Sequence, residues 1–202
     1  MPTGRPHARR THSDEQILAA VRDLLLAHGP RGVTTAAISQ RSGAPTGSLY
    51  HRFGSRSVMV AELWIRTIRR FHADLFEATS AAEPGLPRAL AAALAVVDFA
   101  TQHPEDARLL LVASRADLDA DASLPAELAE ALRTLNDPVT ALLKQVTTEL
   151  YGSVTRDGVD RVTIGTISLP YTVVRHRLLQ DGDPADLRHL VETAARAVLT
   201  AP

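Results

Sequence analysis

Prolines at positions 87, 104, 125 and 184 each open a stretch in which apolar residues recur every three or four positions, and nowhere do apolar and polar residues alternate between turn signals. A proline in the first turn of a helix gives up an amide hydrogen that has no partner there in any case, so this placement marks helix starts. The pattern predicts helices over 87–102, 104–114, 125–151, 157–180 and 184–199, the third kinked at Pro138, whose ring and missing amide disturb a helix interior. An all-α fold follows. With 202 residues, 45% of them apolar, the chain can bury the core of one or two small domains.

The N-terminal part carries its own helix signals. Ser13 followed by Gln16 is a capping-box pair, in which the hydroxyl accepts from a first-turn amide and the glutamine reaches back. Ile17, Val21, Leu24 and Leu25 then share one face of a helix that runs to about His28 and stops at Gly29-Pro30. Thr34 or Thr35 caps a short second helix through Arg41, with Ile38 inward and Gly43 as its stop. A third spans 45–53 with Leu49 and Phe53 on its packing side, and Gly54-Ser55 turns into a long fourth helix marked by Val60, Trp64, Ile68, Phe71 and Leu75. A loop at 82–87 separates this unit from the helices beyond it.

The net charge of −1 conceals an asymmetry, since residues 1–60 hold eight arginines against three acids while residues 61–202 hold 14 basic and 20 acidic side chains. A basic end on an acidic body points to a polyanion as the partner of the first segment only. The absence of cysteine rules out a disulfide scaffold and a thiolate metal site. The basic first dozen residues have no apolar core to follow them, and the longest apolar run, 89–97, stops at Asp98. Neither a signal peptide nor a membrane span is expected, and the cytoplasm is the expected location.

From Thr34 to Phe53 two short helices meet through a tight glycine-containing turn, which is the helix-turn-helix arrangement. Ala37 lets the helices cross closely, and Ile38, Leu49 and Phe53 can form their seam. The outward face of the second helix carries Thr46, Gly47, Ser48, His51 and Arg52. A face without bulk can press into a major groove, where hydroxyl, imidazole and guanidinium groups meet phosphates or base edges. Gly32, Thr34-Thr35, Ile38, Gly43, Gly47, Leu49-Tyr50, Phe53 and Ser55-Arg56 stand at spacings that resemble the DNA-binding domain of the TetR family of transcriptional regulators.

The resemblance implies that Thr35 and the start of the second helix touch the DNA backbone, that 46–51 enters the major groove, and that Tyr50 hydrogen-bonds a phosphate. Thr34 and Pro45 are counted with these DNA-facing residues. Arg56 takes the place of the family's usual lysine, at a helix N-terminus where a phosphate is favoured. The departures are Pro45, where the family often has a capping serine or threonine, and Arg52, where histidine or tyrosine is common. Leu49 and Phe53 read equally well as plain core, and Tyr50 is divided between packing its ring and offering its hydroxyl. Arg5, Arg9 and Arg10 form either an arm that supplements DNA binding or an ordinary solvated terminus.

On this reading the chain divides into a basic arm (1–12), a helix-turn-helix DNA-binding domain (13–57) and a helical ligand-binding and dimerisation domain (58–202). The resemblance implies a homodimeric regulator, usually a repressor, that binds a palindromic double-stranded operator and is released by a small molecule. The residues support pairing independently. The helix from Asp157 carries Val162, Leu169 and Val173 on one face and Ile164, Tyr171 and Val174 on another, more than a single surface helix needs. The last helix repeats Leu187, Leu190, Val191, Ala194 and Val198 at three-to-four spacing. Together they predict a four-helix interface across a two-fold axis, completion of a monomer core being the alternative.

A ligand pocket is expected among the helices holding Asp98, Phe99, His103, Leu110, Leu135, Asn136, Val139, Leu142 and Tyr171. The buried-looking Asp98, His103 and Asn136 are its polar marks, and an apolar, poorly charged inducer is expected. Asp117, Asp119 and Asp121 look like the opening of a calcium loop, but Ala122 stands where the turn glycine belongs and Leu128 where the bidentate glutamate belongs. No histidine pair has metal-ligand spacing, no glycine-rich phosphate loop follows a strand, and no Gly-x-Ser-x-Gly occurs. Neither metal, cofactor nor catalysis is expected. A helical interaction scaffold without DNA reading is the main alternative, and an enzyme a more distant one.

Overall fold

The computed structural model describes residues 13–113 and 124–201, and the regular elements among them are all helical. In chain order these are α1 (Asp14–Gly32), α2 (Thr35–Ser42), α3 (Thr46–Phe53), α4 (Arg56–Ala81), α5 (Leu86–Gln102), α6 (Pro104–Val112), α7 (Ala126–Thr134), α8 (Asp137–Tyr151), α9 (Arg156–Thr163), a π turn (Ile164–Ser168), α10 (Leu169–Leu179), a 3₁₀ turn (Pro184–Leu187) and α11 (Arg188–Thr200). Arg5, Arg9 and Arg10, and the acidic run at 117–121, lie outside the described residues.

Local chemistry sets the helix ends. The Ser13 hydroxyl accepts from the Gln16 amide at 3.1 Å and the Gln16 side chain accepts from the Ser13 amide at 3.0 Å, completing the expected capping box. Gly29 leaves the helical path at φ +65°, so α1 proper ends where the sequence signals its stop and Pro30 to Gly32 add one offset turn. Thr34 and Ser55 accept from the amides of Ala37 and Val58, and each begins the next helix.

Two long expectations are corrected. The stretch 125–151 is two helices: it breaks at Leu135 and Asn136, which puts Pro138 in the first turn of α8, where no amide is missed. The stretch 157–180 contains Pro170, which has no amide to donate inside a helix, and the turn before it widens so that the Leu169 amide bonds the Ile164 carbonyl five residues back. Beyond that turn the helix faces are rotated relative to the pattern expected of one uninterrupted α-helix.

Apolar burial gathers in two clusters. The first joins Ile17, Val21 and Leu25 of α1 to Ile38, Leu49, Phe53, Met59 and Ile65, and it also takes Leu109 from α6, Ala113 just beyond it, and Leu132 and Leu135 at the end of α7. The second is built on α5, with Leu75, Val162, Val174, Leu178, Val191 and Leu199 packed around it. Helix α4 runs through both, so the N-terminal unit is closed by helices from later in the chain.

A carboxylate welds that closure. Asp106, on α6 and only 4% exposed, bonds Arg22 of α1 at 3.4 Å with one oxygen and Arg70 of α4 with the other. Glu105 holds the same Arg22 at 2.8 Å. The indole N–H of Trp64 donates to the Ala113 carbonyl at 3.1 Å and anchors the far end of α6 to α4. Asp106→Ala leaves two guanidinium groups without their shared acceptor and is expected to lower stability by about 2 kcal/mol, with Asp106→Asn costing less. Urea midpoints of the variants measure this, and an unchanged midpoint in the alanine variant would refute the clamp.

His72 of α4 is buried between Phe71 and Phe76, and burial lowers its pKa from the ordinary 6.5 against the opposing effect of its hydrogen bond to Asn136. Below pH 6.5 the unfolded chain therefore takes up a proton that the folded chain resists. His72 thus contributes full stability above that pH and progressively less as the pH falls below it. Urea midpoints measured from about pH 7.5 to 5.5 are expected to fall in the wild type and to fall less in His72→Gln. Identical pH slopes would show that His72 is not the titrating group.

Candidate nucleic-acid interface and adjoining cavity

The turn between α2 and α3 satisfies its own polar groups. Gly43 adopts φ +73°, a conformation that costs other residues, and its amide bonds the Ser39 carbonyl. The Ser39 hydroxyl donates to the Ala44 carbonyl at 2.7 Å, and the Ala44 amide donates to the Ser42 hydroxyl at 3.2 Å. Ala44, Ile38 and Leu49 are fully buried beneath the turn, with Phe53 nearly so, which fixes the angle at which α3 stands out from the domain.

Thr46, Gly47, Tyr50 and His51 are exposed on the outer side of α3, and Ser48 is half-buried. A methyl group added at Gly47 would meet nothing within 4 Å, so internal packing gives no reason for glycine there. Glycine weakens a helix by up to ~1 kcal/mol relative to alanine, and its presence fits a surface that another molecule approaches closely. Tyr50 is 51% exposed. Its ring joins Thr34, Thr35, Ser55, Arg31 and Arg56 around an open cleft of about 640 Å³, into which the N-termini of α2 and α4 face. Hydroxyls, guanidinium groups and two helix N-termini around one concavity suit a phosphate. Sequence reasoning passed over Arg31, because it follows the apparent helix stop; the offset turn after Gly29 carries it to the cleft.

The basic charge of this end is less available than its count suggests. Arg22 is held by Glu105 and Asp106, Arg41 by Asp23 at 2.6 Å, and Arg52 by Asp14. Arg52 is thus tied to the start of α1 rather than aimed outward with Thr46 to His51, and Pro45 caps α3 without a side-chain hydrogen bond. Arg56 donates to the Pro30 carbonyl, bracing the cleft while it lines it.

Beneath this unit a cavity of about 270 Å³ lies between α4, α5, α6 and α10, walled by Trp64, Ile68, Phe71, Val96, Phe99, Ala100, Ala107, Leu110, Leu111, Ala113, Ile167, Tyr171, Val174, Arg175 and Leu178. Of the expected pocket residues, Phe99, Leu110 and Tyr171 are brought together here. The others are not. Asp98 is half-buried on the opposite side of α5, bonded by Arg188. His103 packs on the Phe99 ring at 5.2 Å with Asp74 at 3.5 Å, and Asn136 is exposed and bonded to His72. Val139 and Leu142 belong to the second core and Leu135 to the first.

The expected pairing residues also separate. Val162, Leu187 and Val191 are buried inside the chain itself, while Leu169, Val173, Ala194 and Val198 are half-buried. Gly165 lies where a Cβ would come within 3.0 Å of Leu199, so α11 packs directly on the π turn of its own chain. Leu190 is 56% exposed, and the face left outward beside it carries Ile164 at 49% and Tyr171 at 42%.

A projecting second helix with a bare outer face, seated on a self-satisfied turn beside a cationic cleft, defines a helix-turn-helix DNA-binding protein. Residues 17–63 match the family model described as bacterial regulatory proteins, tetR family. Solved structures of the same all-helical fold include a transcriptional regulator from Pseudomonas aeruginosa PAO1 (18% identity, TM-score 0.73, covering 93% of this chain and 90% of that one). A TetR-like regulator from Rhodococcus sp. RHA1 is similar at 16% identity and TM-score 0.70, covering 94% and 96%. The fatty-acid regulator FadR from Bacillus subtilis, solved with stearoyl-CoA, is similar at 12% identity and TM-score 0.71, covering 94% and 100%. No curated protein matches the chain by sequence.

Gly47→Gln should leave thermal unfolding unchanged or slightly raised and reduce affinity for a specific duplex more than about tenfold, while Tyr50→Phe should reduce it several-fold. Fluorescence anisotropy with labelled duplex reads both, and full affinity in Gly47→Gln would mean that α3 does not enter a groove.

Proposed function

We propose that the protein is a ligand-responsive transcriptional repressor of the bacterial cytoplasm that binds a palindromic operator as a homodimer and is released when a small apolar molecule enters the cavity. The observation that carries this reading is the sharing of helices: α4 and α6 form cavity walls and are the same two helices that Asp106 bolts to α1 of the DNA-binding unit. A ligand that parts α6 from α4 shifts the carboxylate holding Arg22, and with it the base on which α3 stands. Coupling then needs no more than two packings of one three-helix junction.

In the bound complex Thr35, Tyr50, Arg31 and Arg56 hold a phosphate at the cleft while Thr46, Gly47, Ser48 and His51 face base edges. Exposure of Ile164 and Leu190 supports a pairing face on the π turn and α11, away from the cavity mouth at Tyr171. A large apolar side chain left in water on two adjacent helices is covered at low cost by its own symmetry mate. FadR from Bacillus subtilis is solved in complex with stearoyl-CoA, which supports a ligand site in this fold, and the present cavity is that site on this reading.

Titration of labelled duplexes from the region upstream of the protein's own gene, against scrambled duplex at two salt concentrations, tests the proposal. Selective binding that weakens with salt is expected. Ile164→Asp should yield monomers in sedimentation velocity and lose selective binding together with dimerisation; a dimer that persists would move the pairing face elsewhere, and binding equal to scrambled duplex for every upstream and genomic fragment would reject the regulator reading.

A further inference from the structure

Among the described residues the cavity wall is hydrocarbon and aromatic except at one place. Arg175 stands on α10 one turn beyond Tyr171, and both are exposed, whereas Val174 and Leu178 on the same helix are buried. These two therefore mark where the cavity meets water. Among the described residues Arg175 has neither a hydrogen-bond nor an ion-pair partner, while Arg177, two residues on, is held by Asp186 at 3.1 Å. Deeper in, the indole N–H of Trp64 is already given to the Ala113 carbonyl, so among the described residues the interior offers no free side-chain polar group to a ligand.

From this arrangement we infer that the cavity takes a small amphiphilic carboxylate, its apolar body among Phe71, Phe99 and Leu110 and its carboxylate at the rim against Arg175. The inference rests on the cavity being the effector site and adds the charge and size of the effector. A planar guanidinium presents a fork that matches a carboxylate, and the Tyr171 hydroxyl beside it can donate to the same oxygen pair. At about 270 Å³ the space lies just under the ~300–1,000 Å³ of most ligand sites, which selects a single ring or a short chain as the body. Polar discrimination falls to the rim alone, so a neutral molecule of the same body enters but is held less tightly.

Isothermal titration of the full chain with decanoate and with phenylbutyrate, each against the alcohol of the same body, tests this in the wild type, Arg175→Gln and Arg175→Lys. The acids are expected to bind the wild type roughly tenfold more tightly than their alcohols. Arg175→Gln should erase that preference without altering alcohol binding, and Arg175→Lys should keep part of it. Equal binding of acid and alcohol by the wild type, or an acid affinity unchanged in Arg175→Gln, would overturn the role of Arg175 while leaving the cavity as a ligand site. Absence of binding by all four compounds would overturn the effector site together with it.

Discussion

Asp106 stands where α1, α4 and α6 meet, and its single buried carboxylate is the acceptor for guanidinium groups from both of the other helices. Taking a carboxylate out of water is costly unless its charge is matched, so the junction holds only while Arg22 and Arg70 are both in reach. Around it the apolar contacts of Leu109 and Ala113 continue the first core across what sequence alone marks as two domains. The position of the DNA-binding unit relative to the body therefore depends on where α6 lies, and α6 is also a wall of the cavity. On the proposed function, this one ion-paired junction sets both the posture of α3 and the volume open to a ligand.

The surface offered to DNA is defined as much by what is absent as by what is present. Gly47 leaves room without any internal demand for it, and the arginines nearest to α3 are mostly committed to acids within the chain. What remains is directional: hydroxyls of Thr34, Thr35, Tyr50 and Ser55 with Arg31 and Arg56 around one cleft. On the proposed function, short donors converging with two helix N-termini recognise a phosphate by geometry, which positions α3, and leave the reading of bases to its small outward residues.

The N-terminal unit was legible because its signals are local. A capping serine, a glycine at positive φ or a run of apolar residues on one helix face acts within a turn or two of itself, and Ser13, Thr34, Gly43 and Ser55 do in the structure what their neighbours in sequence require of them. The C-terminal region was read less well for the opposite reason. Its amphipathic patterns are two-sided, so periodicity assigns residues to faces without saying which face is inside, and Pro170 shifts the faces midway by widening one turn. Of residues that the pattern assigns to a pairing face, Val162, Leu187 and Val191 lie in the core and Ile164 on the surface. Asp98 looked buried because it sits among alanines and valines, yet it lies on the outer edge of α5 and meets Arg188.

By itself the sequence determined the helical class, the caps and stops of the first four helices, the helix-turn-helix and the likeness of residues 17–63 to the tetR family. All of these rest on interactions between residues close in the chain, whose strength depends on residue type and spacing. Only the tertiary structure decided that Asp106 joins three helices, that Arg31 lines the cleft beside Tyr50, that Arg52 is paired with Asp14, and that Phe99, Leu110, Tyr171 and Arg175 border one cavity. Each of these turns on the angles at which distant helices pack, and such angles follow from the summed fit of many side chains rather than from any local pattern.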